Sequence, residues 1–142
     1  MTVAHILADK GPDVVTIQPH RTIAEASRLL AAHRIGAVLV TGADGKILGI
    51  LSERDIVRAV AAGPATLDDA VSKHMTERVV TCTPDMVVYD VMDVMTAGRF
   101  RHLPVLDRDR LAGLISIGDV VKFRVAEIEA ESRAMRDYIA MA

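Results

Sequence analysis

Two stretches of the 142-residue sequence carry the same small set of polar groups: Gly49-Ile50-Leu51-Ser52-Glu53-Arg54-Asp55 and Gly113-Leu114-Ile115-Ser116-Ile117-Gly118-Asp119. Each runs from an apolar segment into a helix start, with Ser and Asp three residues apart. Two chemistries suit that spacing. As a helix cap, the Ser side chain satisfies a free backbone N–H and the Asp sits at the positive end of the helix dipole, the cap alone being worth about 0.5–2 kcal/mol. As a binding site, a carboxylate at the mouth of a strand end accepts both hydroxyls of a ribose, while Ser and the exposed helix N–H groups hold a phosphate. The residues alone leave both open, since a duplicated cap is still a cap.

Other chemistries find little support. His5, His20, His33, His74 and His102 stand far apart, with no pair at metal-ligand spacing, and the single cysteine has no partner thiol. Cys82 lies among apolar neighbours and reads as a small buried hydrophobe. Asp68-Asp69 falls near a helix start and Asp107/Asp109 in a hairpin turn, both ordinary structural settings. Gly-x-Ser-x-Gly, Walker-type and Gly-x-Gly-x-x-Gly motifs are missing, so neither catalysis nor a metal is expected.

Composition narrows the partners. Lys and Arg number 17 against 19 Asp and Glu, a formal charge of −2, which argues against wrapping a nucleic-acid backbone. Aromatic residues make up 3%, too few for a base-stacking platform, and the core must be aliphatic. Charge-free stretches such as Ile35 to Ala43 reach about nine residues, half a membrane span. Met1 to Lys10 lacks the pattern of a signal peptide, so a cytoplasmic protein is expected.

The two junctions belong to longer repeats. At an offset of 65, Val14-Val15-Thr16 falls on Val79-Val80-Thr81, Pro19 on Pro84, Arg34 on Arg99 and Val40 on Val105. At 64, Gly49, Ser52, Asp55 and Val57 meet Gly113, Ser116, Asp119 and Val121. Upstream, Ile6-Leu7 faces His74-Met75 once the loop Asp9 to Asp13 is allowed for, so each copy begins with a short helical lead-in. Val14 to Ile17 reads as a strand. Thr22 and Glu25 have the form of a capping box before a helix carrying Ile23, Ala26, Leu29 and Leu30 and ending near Arg34. Ala37 to Val40 and Ile47 to Leu51 form a hairpin about Gly42 to Gly45, and a second helix runs from Ser52 to Gly63-Pro64. In the second copy the strand is Val79 to Cys82, the helix carries Val88, Val91, Met92 and Met95, the hairpin spans His102 to Ile115, and the last helix starts near Ser116. The unit is β-α-β-β-α, with repeat 1 over residues 1–66 and repeat 2 over 67–142.

That last helix has no breaker from Asp119 to Ala142. Val120, Val121, Phe123, Val125, Ile128, Met135, Tyr138 and Ile139 exceed what one small domain covers, so self-association is expected. A solvated tail rich in Glu127, Glu129, Glu131 and Arg133 is the alternative.

The doubled β-α-β-β-α unit with its Gly-h-h-Ser-x-x-Asp junction resembles the cystathionine-β-synthase (CBS) domain, as a free-standing tandem pair over nearly the whole chain. The resemblance rests on Val15-Thr16-Ile17-Gln18-Pro19, His33-Arg34-Ile35-Gly36-Ala37-Val38 and Ser52 to Val57, and on Val80-Thr81-Cys82-Thr83-Pro84, Arg99-Phe100-Arg101-His102-Leu103-Pro104-Val105 and Ser116 to Val121. It implies an α+β fold of two repeats packed about a pseudo-two-fold axis (a Bateman-type module), with the long helix appended. It further implies two clefts for adenosine-containing ligands. Ser116 and Asp119 would hold one ribose, with Thr16, Ile17, Ile35, Gly36 and Ala37 walling its adenine. Ser52 and Asp55 would hold the other, against Thr81, Cys82, Phe100, Arg101 and His102. Arg54, Arg99, Arg101 and His102 would bind phosphate in that second cleft, and Lys122 in the first. Leu39 stands where the second copy has Pro104, and Gly118 where the first has Arg54, departures that imply clefts differing in ligand or occupancy. AMP is the first ligand implied, followed by ADP, ATP, NAD(H) and S-adenosylmethionine, with no required cofactor. The implied function is that of a non-enzymatic, homodimeric regulatory sensor that signals its ligand state to another protein. A structural dimerisation or partner-docking module is the alternative.

Overall fold

The computed structural model describes residues 1–141 and has the mixed α+β composition expected. Its compact units do not follow the order of the repeats: one is continuous, Val14–Val79, whereas the other joins Met1–Asp13 to the chain from Val80 onward.

In the continuous unit, β1 (Thr16–Ile17) pairs in parallel with β2 (Ala37–Thr41), which pairs antiparallel with β3 (Ile47–Ser52). A parallel pair needs a crossover, and α2 (Ile23–His33) supplies it. Thr22 caps α2 by accepting from the Glu25 N–H at 3.1 Å. The expected capping box is only half made, because the Glu25 side chain turns to Arg21 at 3.4 Å. Arg34 closes the helix in a left-handed conformation, φ 53°, and the Ile35 N–H reaches back to the Leu30 carbonyl. After the hairpin, α3 (Glu53–Ala62) leads into two 3-10 turns, Pro64–Asp68 and Val71–Lys73. Ile17, Ile23, Ala26, Leu30, Val38, Val40, Leu51 and Val71 form this unit's core. Each large aliphatic side chain fully buried contributes about 1.5–3 kcal/mol.

The second unit repeats the plan with α4 (Val88–Gly98), the hairpin of β4 (His102–Asp107) and β5 (Arg110–Ser116), and α5 (Ile117–Met141). The expected strand Val79 to Cys82 shrinks to one parallel bridge, Cys82 to Val105. Cys82 still donates to Pro104 and accepts from Leu106, so its main chain is satisfied at both ends. Proline donates no N–H, and at β4 the chain uses its carbonyl alone.

Each lead-in is stitched to a strand-helix connection by matching main-chain bonds. In the second unit α1 (Val3–Lys10) docks through Val3 N–H to Met86 O and Ala4 N–H to Pro84 O, both 2.9 Å. In the continuous unit the equivalents are Val71 N–H to Arg21 O at 2.7 Å and Ser72 N–H to Pro19 O at 3.1 Å. Each repeat's lead-in thus packs with the other repeat's strands and helices. The segment Asp9 to Asp13 is also shorter as a loop than expected, since α1 runs to Lys10 and stops at Gly11.

The junction glycines are explained by these lead-ins. A Cβ at Gly49 would stand 2.7 Å from both the Met75 sulfur and the Thr76 carbonyl oxygen, and one at Gly113 would stand 2.5 Å from a Leu7 methyl. Leu7 and Met75 are the pair that the repeat alignment matches.

Candidate functional site

Both Ser–Asp pairs sit where a hairpin strand turns into a helix. Ser52 ends β3 and caps α3: its Oγ accepts from the Asp55 N–H at 3.3 Å, and Asp55 Oδ2 accepts from the Ser52 N–H at 2.9 Å and hydroxyl at 3.1 Å. Asp55 is buried. Ser116 and Asp119 make the corresponding box, with Ser116 N–H to Asp119 Oδ2 at 2.8 Å and Asp119 N–H to Ser116 Oγ at 3.2 Å. The capping chemistry read from the sequence is therefore present at both junctions.

A second link ties each junction to the start of the preceding strand. The Glu53 N–H donates to the Gly36 carbonyl at 2.9 Å, and the Ile117 N–H to the Arg101 carbonyl at 2.8 Å. Across the hairpins, Ala37 pairs with Ser52 and His102 with Ser116. The continuous unit thus gathers Ile35, Gly36, Ala37, Ser52 and Asp55 on one strand-helix corner, and the second unit gathers Phe100, Arg101, His102, Ser116 and Asp119. Thr16 and Ile17 lie on β1, lining a concavity with Gln18, Arg21, Glu25 and Leu29. Ile35 lies beside a different one, between α2 and α3.

Several candidates are placed by packing. Ile35 and Phe100 follow the left-handed residues Arg34 and Arg99 (φ 55° at the latter) and fold partly onto their cores. Cys82 is buried in the second core, and burial pushes its thiol up to about 11, so it is neutral at physiological pH and offers a neighbour only its main chain and apolar surface. Thr81 and Arg101 are exposed, and His102 is half-buried.

Lys10 was missed. Its ammonium donates to Asp119 Oδ2 at 2.7 Å and to the Leu114 carbonyl at 2.8 Å. Burial alone would raise the Asp119 carboxyl, but the Lys10 hydrogen bond and charge, with the Ser116 N–H and hydroxyl, outweigh it and hold the group below its usual value. Lys122, expected to serve phosphate, lies one turn along α5 and pairs with Asp9 at 3.2 Å. The alignment of Leu7 with Met75 carries Lys10 onto Arg78, so a basic residue three positions past each lead-in contact was the available signal. Among the described residues no group of His, Cys, Asp and Glu is placed to hold a metal ion.

Comparison with known proteins fits this geometry. The family model of the CBS domain matches twice, at residues 3–62 and 69–126. The CBS-domain containing protein ATU1752 from Agrobacterium tumefaciens is 54% identical, with 87% of this chain and 92% of that one aligned and a TM-score of 0.85. The CBS domain protein PAE2072 from Pyrobaculum aerophilum, solved with AMP, is 29% identical over 84% of this chain and 89% of that one, TM-score 0.76. The CBS domain pair of protein MJ0100, solved with 5′-methylthioadenosine and S-adenosyl-L-methionine, is 25% identical over 89% and 98%, TM-score 0.79. Three curated relatives are longer, the chain spanning 66%, 71% and 21% of their lengths. With two family matches covering most of its length, one on each Ser–Asp junction, the chain belongs to the CBS-domain family as a tandem pair.

Proposed function

We propose that this chain is a regulatory module that binds adenosine-containing ligands without turning them over and passes their presence to a partner protein. The observation that carries the reading is the duplicated junction: a serine-capped carboxylate at a helix N-terminus, beside the strand start in each unit. Support comes from the AMP, 5′-methylthioadenosine and S-adenosylmethionine found with similar CBS proteins. Asp55 and Asp119 are the proposed ribose acceptors with Ser52 and Ser116. The proposed adenine contacts are Thr16, Ile17, Ile35, Gly36 and Ala37 for one ligand and Thr81, Cys82 and Phe100 for the other. Arg54, Arg99, Arg101, His102 and Lys122 are the proposed phosphate partners, and AMP is the first ligand to try. The chain is proposed to act as a cytoplasmic homodimer. No helix among the described residues is long and apolar enough to cross a membrane.

A second reading, a dimerisation module with empty clefts, is favoured by one observation: both serine–aspartate boxes are complete as helix caps. Calorimetric titration of ligand-stripped protein with AMP, ATP, NADH and S-adenosylmethionine separates the two. Saturable binding, reduced at one site by Asp55→Ala and at the other by Asp119→Ala, is expected. Absence of binding by the folded, stripped protein overturns the sensor.

A further inference from the structure

Helix α5 spans about 37 Å at 1.5 Å per residue, and Val120 is its buried residue. Its packed side is Val120, Phe123, Arg124 and Glu127, the last two paired at 3.6 Å with Arg124 also over the Tyr89 ring at 5.2 Å. About a quarter-turn round lies a second apolar row that nothing in the unit covers: Val121, Val125, Ile128, Met135 and Ile139, from 44% to 65% exposed. With Ser132 the steps are 4, 3, 4, 3 and 4, the a/d spacing of a coiled coil rather than the broad stripe of a helix lying on a core.

The flanking charges choose the partner. With Val125, Ser132 and Ile139 at a, the e positions are Lys122, Glu129 and Arg136, and the g positions are Arg124, Glu131 and Tyr138. In a parallel, in-register pair each g residue faces the e residue five positions on in the other helix. Glu131 then meets Arg136, twice by symmetry, while Arg124, held on the packed side by Glu127 and Tyr89, leaves Glu129 facing a position of positive charge. The antiparallel register that uses the whole row instead sets Glu129 against Glu129, Glu131 against Glu131 and Lys122 against Arg136. We infer that α5 from Val121 to Ile139 is the seam of a parallel two-stranded coiled coil with a second copy of this chain. Ser132, polar at an a position, fixes the register at a cost in stability. The inference deepens the proposed homodimer and is independent of nucleotide binding.

The test uses the full chain. Ser132→Cys treated with diamide, which takes up the two electrons and two protons of disulfide formation, is expected to give a covalent dimer, because a faces a in the parallel register, and the buried Cys82 thiol does not compete. Ile128→Glu is expected to raise the dimer dissociation constant about 100-fold in sedimentation equilibrium, since two buried contacts go and two carboxylates meet. Glu131→Arg weakens the dimer, and adding Arg136→Glu restores it. A monomer at high protein concentration removes both the homodimer and its seam. A dimer that neither crosslinks at Ser132→Cys nor responds to Ile128→Glu overturns the seam alone, as does a trimer or tetramer.

Discussion

The Ser52–Asp55 and Ser116–Asp119 junctions share their cap, their main-chain tie to the preceding strand and the glycine under a lead-in side chain, yet they differ in what reaches the carboxylate. Asp55 is buried and held by both donors of its own serine. Asp119 is half-buried and divides one oxygen between the Ser116 N–H and Lys10. The two junctions share a frame and differ in electrostatics. A ligand hydroxyl that seeks Asp119 meets a carboxylate already engaged by a lysine from the lead-in, whereas at Asp55 it meets one engaged by the cap.

The sharpest separation between the junctions lies beneath them. Gly49→Ala is expected to cost about 3 kcal/mol, because the new methyl strikes the Thr76 carbonyl and the Met75 sulfur together, and backbone does not yield. Gly113→Ala meets only the end of a leucine, which can rotate, and about 1 kcal/mol is expected. Urea denaturation of the two variants checks the order; equal losses would show that the lead-ins adapt alike.

In ligand affinity, Asp55→Ala and Asp119→Ala are each expected to lose about 1.5–3 kcal/mol at their own site, the worth of a charged hydrogen bond. Loss of folding stability without loss of affinity would leave both as caps. Lys10→Ala tests the asymmetry directly. Freed of its ammonium, Asp119 is expected to bind a ribose roughly threefold more tightly, for a stability loss under about 1 kcal/mol given the exposure of the pair. Weaker binding would instead place Lys10 on the ligand's phosphate.

The smallest effect is in acid. Asp119 titrates below its usual 3.8 in the folded protein. Its contribution is complete above the unfolded value and is lost as pH falls through the folded one. Asp119→Asn is expected to flatten the decline in stability below about pH 4 by under about 1 kcal/mol, the pair being partly solvated. A decline as steep as in the parent chain would show that Lys10 does not hold the carboxyl down.

Much of this was legible in the residues. The caps at Thr22, Ser52 and Ser116, both hairpins, the helix end at Arg34 and the uninterrupted α5 follow from local patterns that the structure keeps. What stayed hidden depends on partners distant in sequence. A strand of apolar residues such as Val79 to Cys82 forms only as far as its neighbour can donate to it, and Pro104 in that neighbour has no N–H, where Leu39 donates to Val15 in the continuous unit. Lys10 looked like loop punctuation because nothing local ties it to a residue 109 positions on. The repeat alignment found the lead-ins but could not say that each packs away from its own repeat.

That exchange sets the order of events on the ribosome. The continuous unit holds everything it needs by Val79, but α1 must wait for Gly113, roughly 100 residues and on the order of 5–20 s of synthesis later at ~5–20 residues per second. Throughout that interval Val3, Ile6 and Leu7 are an apolar segment without a home. That interval is when a holdase has most to protect.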